Sequence, residues 1–286
     1  MGGRRSIGLG LVLVLVAGCG GGGGGGDDSE MPLAVDVDPV TEGDWYRPAK
    51  VARWQWQLTG ELNTGYDVAV YDIDLFDTPA DRIATLQAAG RKVICYFSAG
   101  SSEDWREDFE RFSDDDMGKK LGGWDGERWL DIRSTNVHAI MHDRLDLAAA
   151  KGCDGVEPDN VDAYTNASGF DLTAADQLAY NRHIANEAHR RGLAVGLKND
   201  GGQAAALVDY YDFELNEQCH AYDECSELAP FTVADKPIFN AEYADDAAAA
   251  AELAAAVCPR ARAADIRTLI LPLDLDDSFR IDCDDH

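Results

Sequence analysis

Positive charge is scarce in this sequence: 25 Lys and Arg stand against 53 Asp and Glu, for a formal net charge of −28. A field of that sign repels phosphate backbones and draws in cations, so nucleic acid is excluded as a partner. Also missing is an apolar run of the roughly 20 residues needed to span a bilayer; the N-terminal run from Ile7 to Val16 is too short. There is no Gly-x-Ser-x-Gly elbow, no phosphate-binding Gly-x-x-x-x-Gly-Lys-[Ser/Thr] loop, no dinucleotide-binding Gly-x-Gly-x-x-Gly after the first strand and no His-Glu-x-x-His. His138 and His142 have helical i, i+4 spacing but no evident third ligand, so they read as a solvent-facing helix surface. Cys95 sits in an apolar stretch without a His partner, which argues against a cysteine nucleophile. Neither a metal nor an organic cofactor is expected.

What is present begins with Arg4 and Arg5, the apolar run, and Val16-Ala17-Gly18-Cys19. These are the parts of a secretory signal, and the cysteine after small residues resembles the bacterial lipobox. The reading is a signal over residues 1–19 with Cys19 acylated and held to a lipid membrane, which places the chain in the cell envelope outside the cytoplasm. Gly20 to Gly26 have no side chains to bury, and residues 20–44 read as a flexible linker. Residues 45–286 then form one domain, expected to be monomeric. Setting Cys19 aside leaves six cysteines, an even number in an oxidising compartment. Cys219 with Cys225 and Cys258 with Cys283 are the expected pairs. For Cys95 and Cys153, buried thiols and a third bridge are equally open.

Beyond Trp54, short β-like runs alternate with helical patterns. Strands are expected at Trp54 to Leu58, Val68 to Ile73, Lys92 to Phe97, Gly155 to Glu157, Ala194 to Lys198, Tyr211 to Leu215, Pro237 to Ala241 and Thr268 to Leu273. Eight strands with intervening helices predict an α/β fold of the (β/α)8 TIM-barrel type, with an open doubly wound sheet as runner-up. The stretch from Ser101 to Ser134 reads as a long irregular insertion carrying Trp105, Trp124 and Trp129.

A barrel builds its active site at the C-terminal ends of its strands. Those ends carry Asp72 and Asp74, then Glu157, Asp159, Asn160 and Asp162, then Lys198 and Asn199, then Glu214, Glu217 and Gln218, and then Glu242. Paired carboxylates suit glycoside hydrolysis, in which one protonates the leaving oxygen and the other attacks or activates water. Trp54, Trp56, Trp124 and Tyr222 are candidates to stack on sugar faces, set against ordinary packing roles for each.

Several strings are specific: Trp54-Gln55-Trp56-Gln57-Leu58, Tyr71-Asp72-Ile73-Asp74, Glu127-Arg128-Trp129-Leu130-Asp131-Ile132-Arg133, Gly155-Val156-Glu157-Pro158-Asp159-Asn160-Val161-Asp162, Gly196-Leu197-Lys198-Asn199 and Phe213-Glu214-Leu215-Asn216-Glu217-Gln218-Cys219. In this order they resemble glycoside hydrolase family 114, the endo-α-1,4-polygalactosaminidase family, from about Trp54 to Cys283. The resemblance implies a (β/α)8 barrel that cleaves α-1,4-linked galactosamine polymer with retention. It implies Asp159 as nucleophile and Glu217 as acid/base, with Asp72, Asp74, Trp54, Trp124, Asp131, Glu157, Asn160, Asp162, Lys198, Asn199, Gln218, Tyr222 and Glu242 as candidate substrate contacts. A cationic or amino-sugar polysaccharide also gives the acidic charge a purpose. The competing readings are a non-catalytic envelope lipoprotein that holds such a polymer, and a hydrolase of another α-linked glycan.

Overall fold

A computed structural model describes residues 32–286. The expected signal, Cys19 and the glycine run lie outside them. The chain runs β1 (Trp54–Gln57), β2 (Val70–Asp74), α1 (Ala80–Ala88), β3 (Lys92–Ser98), β4 (Ser101–Glu103), β5 (Met117–Lys120), β6 (Glu127–Leu130), α2 (Thr135–Lys151) and β7 (Gly155–Asp159). It continues through α3 (Ala174–Arg190), β8 (Ala194–Lys198), α4 (Ala204–Leu207), β9 (Phe213–Glu217), α5 (Cys219–Tyr222), α6 (Ala229–Val233), β10 (Ile238–Tyr243), α7 (Ala247–Ala264), β11 (Arg267–Leu271) and β12 (Ile281–Asp282).

Eight parallel strands follow the order β1-β2-β3-β7-β8-β9-β10-β11, with β12 antiparallel on the last edge, and curl into a TIM-barrel-like sheet. Buried parallel strands are apolar on both faces. Tyr71, Ile73, Cys95, Phe97, Val156, Val195 and Leu197 belong to the large cluster that also takes in Ile83, Ile140 and Ile184 of the surrounding helices. The alternate residues, Trp54, Trp56, Val70, Ile94, Phe213, Leu215, Phe239 and Leu269, form a second cluster inside the barrel. Gly196 is required here: a Cβ on it would lie 2.2 Å from the Phe213 ring. Between β1 and β11 the seam is closed by side chains and loops. Trp54 Nε1 donates to the Arg267 carbonyl at 2.9 Å, and the Arg280 guanidinium donates to the Trp54 carbonyl at 2.9 Å.

Two expectations change. The stretch after β3 is ordered: β4, β6 and β5 pair antiparallel as a small sheet beside the barrel mouth, stabilised by Arg128, whose guanidinium donates to the carbonyls of Met117 and Gly118. Part of the expected linker is also packed. Arg182 donates to the Val35 carbonyl at 2.6 Å and Asn186 to the Asp38 carbonyl at 3.0 Å, so the chain from about Val35 to Val40 is bound along α3. All six cysteines are paired, as Cys95–Cys153, Cys219–Cys225 and Cys258–Cys283. The third bridge, open on sequence grounds, joins β3 to the turn before β7. Among the described residues no helix is long and apolar enough to cross a membrane.

Candidate active site

Side chains inside the barrel change character along the strands, from apolar at the bottom to charged at the C-terminal ends. Register explains the composition. Ile94 sits opposite Gly155 and Tyr96 opposite Glu157, and the alternation that points Glu157 inward also points Asp159 inward. The same parity brings in Lys198, Glu217 and Tyr243.

The strands end in backbone turns that few residues accept. Asn160, Asn199 and Gln218 have φ of 61°, 51° and 60°. Left-handed backbone at non-glycine residues is strained, and Asn tolerates it best. The two asparagines also hold the neighbouring groups. Asn199 Nδ2 donates to Glu217 Oε2 at 3.1 Å while its Oδ1 accepts from the Glu217 amide at 2.9 Å. Asn160 Nδ2 donates to Ser98 Oγ at 2.9 Å, and its amide donates to Asp159 Oδ1 at 2.7 Å. Close approach requires Gly100 here, because a Cβ would fall 1.7 Å from the Asn160 carbonyl oxygen.

Lys198 is the centre of the charge distribution. Its Nζ lies 2.6 Å from Glu157, 3.4 Å from Asp159 and 3.5 Å from Glu217, and 4.6 Å from the Trp56 ring centroid. Burial alone would favour its neutral form, but Asp159, Glu157 and Glu217 outweigh that and push its pKa well up, so it remains an ammonium. Glu217 responds in the opposite sense. Burial raises its pKa, yet the Lys198 charge and the hydrogen bonds from Tyr243 and Asn199 hold it below the usual carboxylate range. Glu157 is pushed up to about 7, chiefly by burial, despite its contact with Lys198. Asp72 lies deeper, against Glu157, and burial followed by the Glu157 charge pushes its pKa well up. Tyr96 donates to Asp159 Oδ2 at 3.2 Å, and the Tyr243 hydroxyl donates to Glu217 Oε1.

These groups open into a cleft of about 430 Å3 whose other wall is the small sheet. Of the residues expected from sequence, Trp56, Asp74, Trp124, Asp159, Asn160, Asp162, Lys198, Asn199 and Glu217 line it. Glu157 lies directly beneath, bound to Lys198 and to Trp56 Nε1. The others are elsewhere. Trp54 stacks on Phe239 at the barrel bottom, and Asp72 is 1 % exposed and out of reach of a sugar. Asp131 is paired with Arg133 away from the cleft. Gln218 forms the left-handed turn after β9, and Tyr222 is 65 % exposed on α5. Glu242 precedes an inward residue and so faces outward, where it accepts from the His220 amide at 2.8 Å. Tyr96, Glu103 and Arg106 line the cleft without having been expected. Tyr96 lay inside the apolar run Lys92 to Phe97, where an aromatic reads as core, and Glu103 and Arg106 belonged to a stretch read as irregular.

A model of the glycoside-hydrolase family GH114 matches residues 36–286. The chain belongs to this family. It is therefore a glycoside hydrolase, and the carboxylate-lined cleft at the C-terminal ends of the strands lies where such chemistry is built on this fold. Among solved structures it is similar to Aspergillus fumigatus Ega3 in complex with galactosamine, at 44 % identity and a TM-score of 0.80, covering 85 % of this chain and 99 % of that one. The glycoside hydrolase domain of PelA from Pseudomonas aeruginosa shares the fold at 13 % identity and a TM-score of 0.64, over 79 % of this GH114 chain and 96 % of that domain. An uncharacterised protein of Deinococcus radiodurans is 28 % identical over 271 residues, covering 82 % of this chain and 83 % of its own.

Proposed function

We propose that this protein is an endo-acting, retaining hydrolase of α-1,4-linked galactosamine polymers, with Asp159 as nucleophile and Glu217 as acid/base. The observation that carries the proposal is the pair of carboxylates on one ammonium. Lys198 Nζ lies 3.4 Å from Asp159 Oδ1 and 3.5 Å from Glu217 Oε2. Those oxygens are therefore at most about 7 Å apart, a bound that admits the spacing of about 5 Å for a retaining pair and leaves only the lower end of the inverting range of about 6.5 to 9.5 Å. The galactosamine complex of the 44 % identical relative and the negative cleft support an amino-sugar substrate.

In the first step Asp159 attacks the anomeric carbon while Glu217 protonates the leaving glycosidic oxygen, giving a glycosyl-enzyme ester. In the second, Glu217 takes a proton from water, whose oxygen displaces Asp159 with net retention. Lys198 stabilises the ionised nucleophile and the carboxylate that Glu217 becomes. Glu217 must enter the first step protonated, and its pKa is held low. Its acid form is depleted as pH rises, so kcat/KM should be greatest on the acid side and fall towards neutrality. A flat or rising profile from pH 4 to 8 on deacetylated poly-α-1,4-galactosamine would remove Glu217 from the acid role.

The direct test is to incubate residues 32–286 with that polymer, sizing the oligosaccharides by mass spectrometry and following the anomers by NMR. The α-anomer should appear first. Asp159→Asn and Glu217→Gln should each lower kcat by about 10³-fold or more while retaining the fold. Absence of cleavage by the wild type would defeat the substrate assignment. The paired cysteines fit an oxidising compartment; within it, the reading extends to a monomer held to the membrane through acylated Cys19, which metabolic labelling with a fatty acid would test.

A further inference from the structure

Glu127 is a buried carboxyl of the cleft that makes no ion pair among the described residues. It begins β6, is 6 % exposed, and lines the cleft with Asp159. Its cross-strand neighbour is Glu103. That second carboxylate is fully engaged: Arg106 Nε donates to Glu103 Oε1 at 2.9 Å, and Arg144 approaches Oε2 at 3.5 Å. Arg106 is completed by Asp74, whose Oδ2 lies 2.6 Å from it. Lys198, the other cation lining the cleft, is taken by Glu157, Asp159 and Glu217.

Glu127 receives one hydrogen bond, from Ser101 Oγ to Oε2 at 2.6 Å, and among the described residues no group donates to Oε1. The serine is itself fixed. Its Oγ is 2.6 Å from Ser98 Oγ, and Asn160 Nδ2 reaches it at 3.3 Å. The carboxyl is thus aimed, with one oxygen left open, by residues that also support the turn after Asp159. A half-desolvated carboxyl beside two others is unfavourable unless it is protonated or meets a cation.

We propose that Glu127 is the specificity-determining group for the substrate ammonium: its Oε1 accepts from the charged amine of a galactosamine unit, and so separates deacetylated polymer from its N-acetylated form. This rests on the galactosamine reading above. An acetamide at the same place brings no charge and is too bulky for the same contact. The groups facing Glu127 are Glu103 on β4, Arg106 beyond it, Asp159 on β7 and Tyr96 on β3. Burial first, then Glu103 and Asp159, push its pKa up to about 7 against the opposing Ser101 bond and Arg106. An arriving ammonium must displace that proton near neutrality, so binding should release protons.

The test compares wild type with Glu127→Gln, which preserves shape and can still accept from Ser101, and with Glu127→Asp as a charge-retaining control. On deacetylated poly-α-1,4-galactosamine, Glu127→Gln should raise KM about 10-fold or more, as expected for a lost charge-assisted hydrogen bond, with a much smaller change in kcat. The preference for deacetylated over acetylated polymer should fall by the same factor, and Glu127→Asp should restore part of it. An unchanged preference in Glu127→Gln would overturn the proposal. A separate readout does not need turnover. By calorimetry in two buffers of different ionisation enthalpy, wild type should bind galactosamine more tightly than galactose and release protons near pH 7, and Glu127→Gln should lose both properties. If the wild type binds the two sugars alike, the ammonium site is refuted. If it favours galactosamine through Glu127 yet cleaves neither polymer, the site stands and the hydrolytic substrate assignment fails.

Discussion

Lys198 and Asp72 show how a buried charge is tolerated at the base of this cleft. Lys198 is 2 % exposed among three carboxylates, whereas Asp72, one layer lower, has burial and Glu157 working against its ionisation. The folded-state pKa of Asp72 is raised above the unfolded value. Its favourable contribution is therefore complete below about pH 4 and is lost as pH rises towards the folded pKa. Asp72→Asn removes this dependence because the amide does not ionise. The variant should match wild type in melting temperature near pH 4, exceed it near pH 8, and keep kcat within about threefold, as checked by calorimetry and polymer assays. Lys198→Met is the contrasting case: it strands up to three carboxylates and should cost about 3–5 kcal/mol by denaturant titration at neutral pH. Sequence alone placed Asp72 with the ammonium-binding residues, since a strand-end Asp looks the same whether it opens to solvent or lies one layer down.

The barrel strands were legible because strands buried on both faces are continuous apolar runs bounded by glycine and polar turns. Lys92–Ser98 and Ala194–Lys198 both lie within a residue of where the pattern puts them. The small sheet was not legible. β4 and β5, Ser-Ser-Glu and Met-Gly-Lys-Lys, have no apolar period, and their pairing depends on Arg128 and on contacts with the barrel. Hence Glu103, Arg106 and the position of Glu127 became visible only in three dimensions. In contrast, the charged ends of β7, β8 and β9 were readable from their strings. Element closure depends on covalent support at the end of the chain. Cys258 of α7 is bonded to Cys283 beside β12, at a sequence separation of 25. Replacing both by alanine should lower stability by about 3 kcal/mol, seen as a lower denaturant midpoint with little change in slope. An unaltered midpoint would mean that Arg53 and Arg280, both bound to Asp282, hold the seam alone.

Over the whole molecule, 53 acidic residues against 25 basic ones set a field that favours the approach of a polycation. That attraction is long-ranged and screened by salt, whereas the contacts around Lys198 are short and buried. Raising NaCl from about 0.05 to about 0.5 M should therefore raise KM for the deacetylated polymer severalfold and leave kcat nearly constant; a salt-independent KM would show that the net charge plays no part in capture. The left-handed turns at Asn160, Asn199 and Gln218 also bear on how the mouth of the barrel is held. They fasten the rim sideways, since Asn199 accepts the Glu217 amide and the Gln218 amide donates to the Ala241 carbonyl at 2.7 Å. Glu217 is thus placed by the end of the neighbouring strand as much as by its own, and the Asp159 carbonyl in turn accepts from the Ala99 and Gly100 amides after β3, so both carboxylates are held in place before any sugar arrives. Such a rim needs no folding-over to become competent, and it should survive drying, salt or exposure between encounters for as long as the barrel beneath it does.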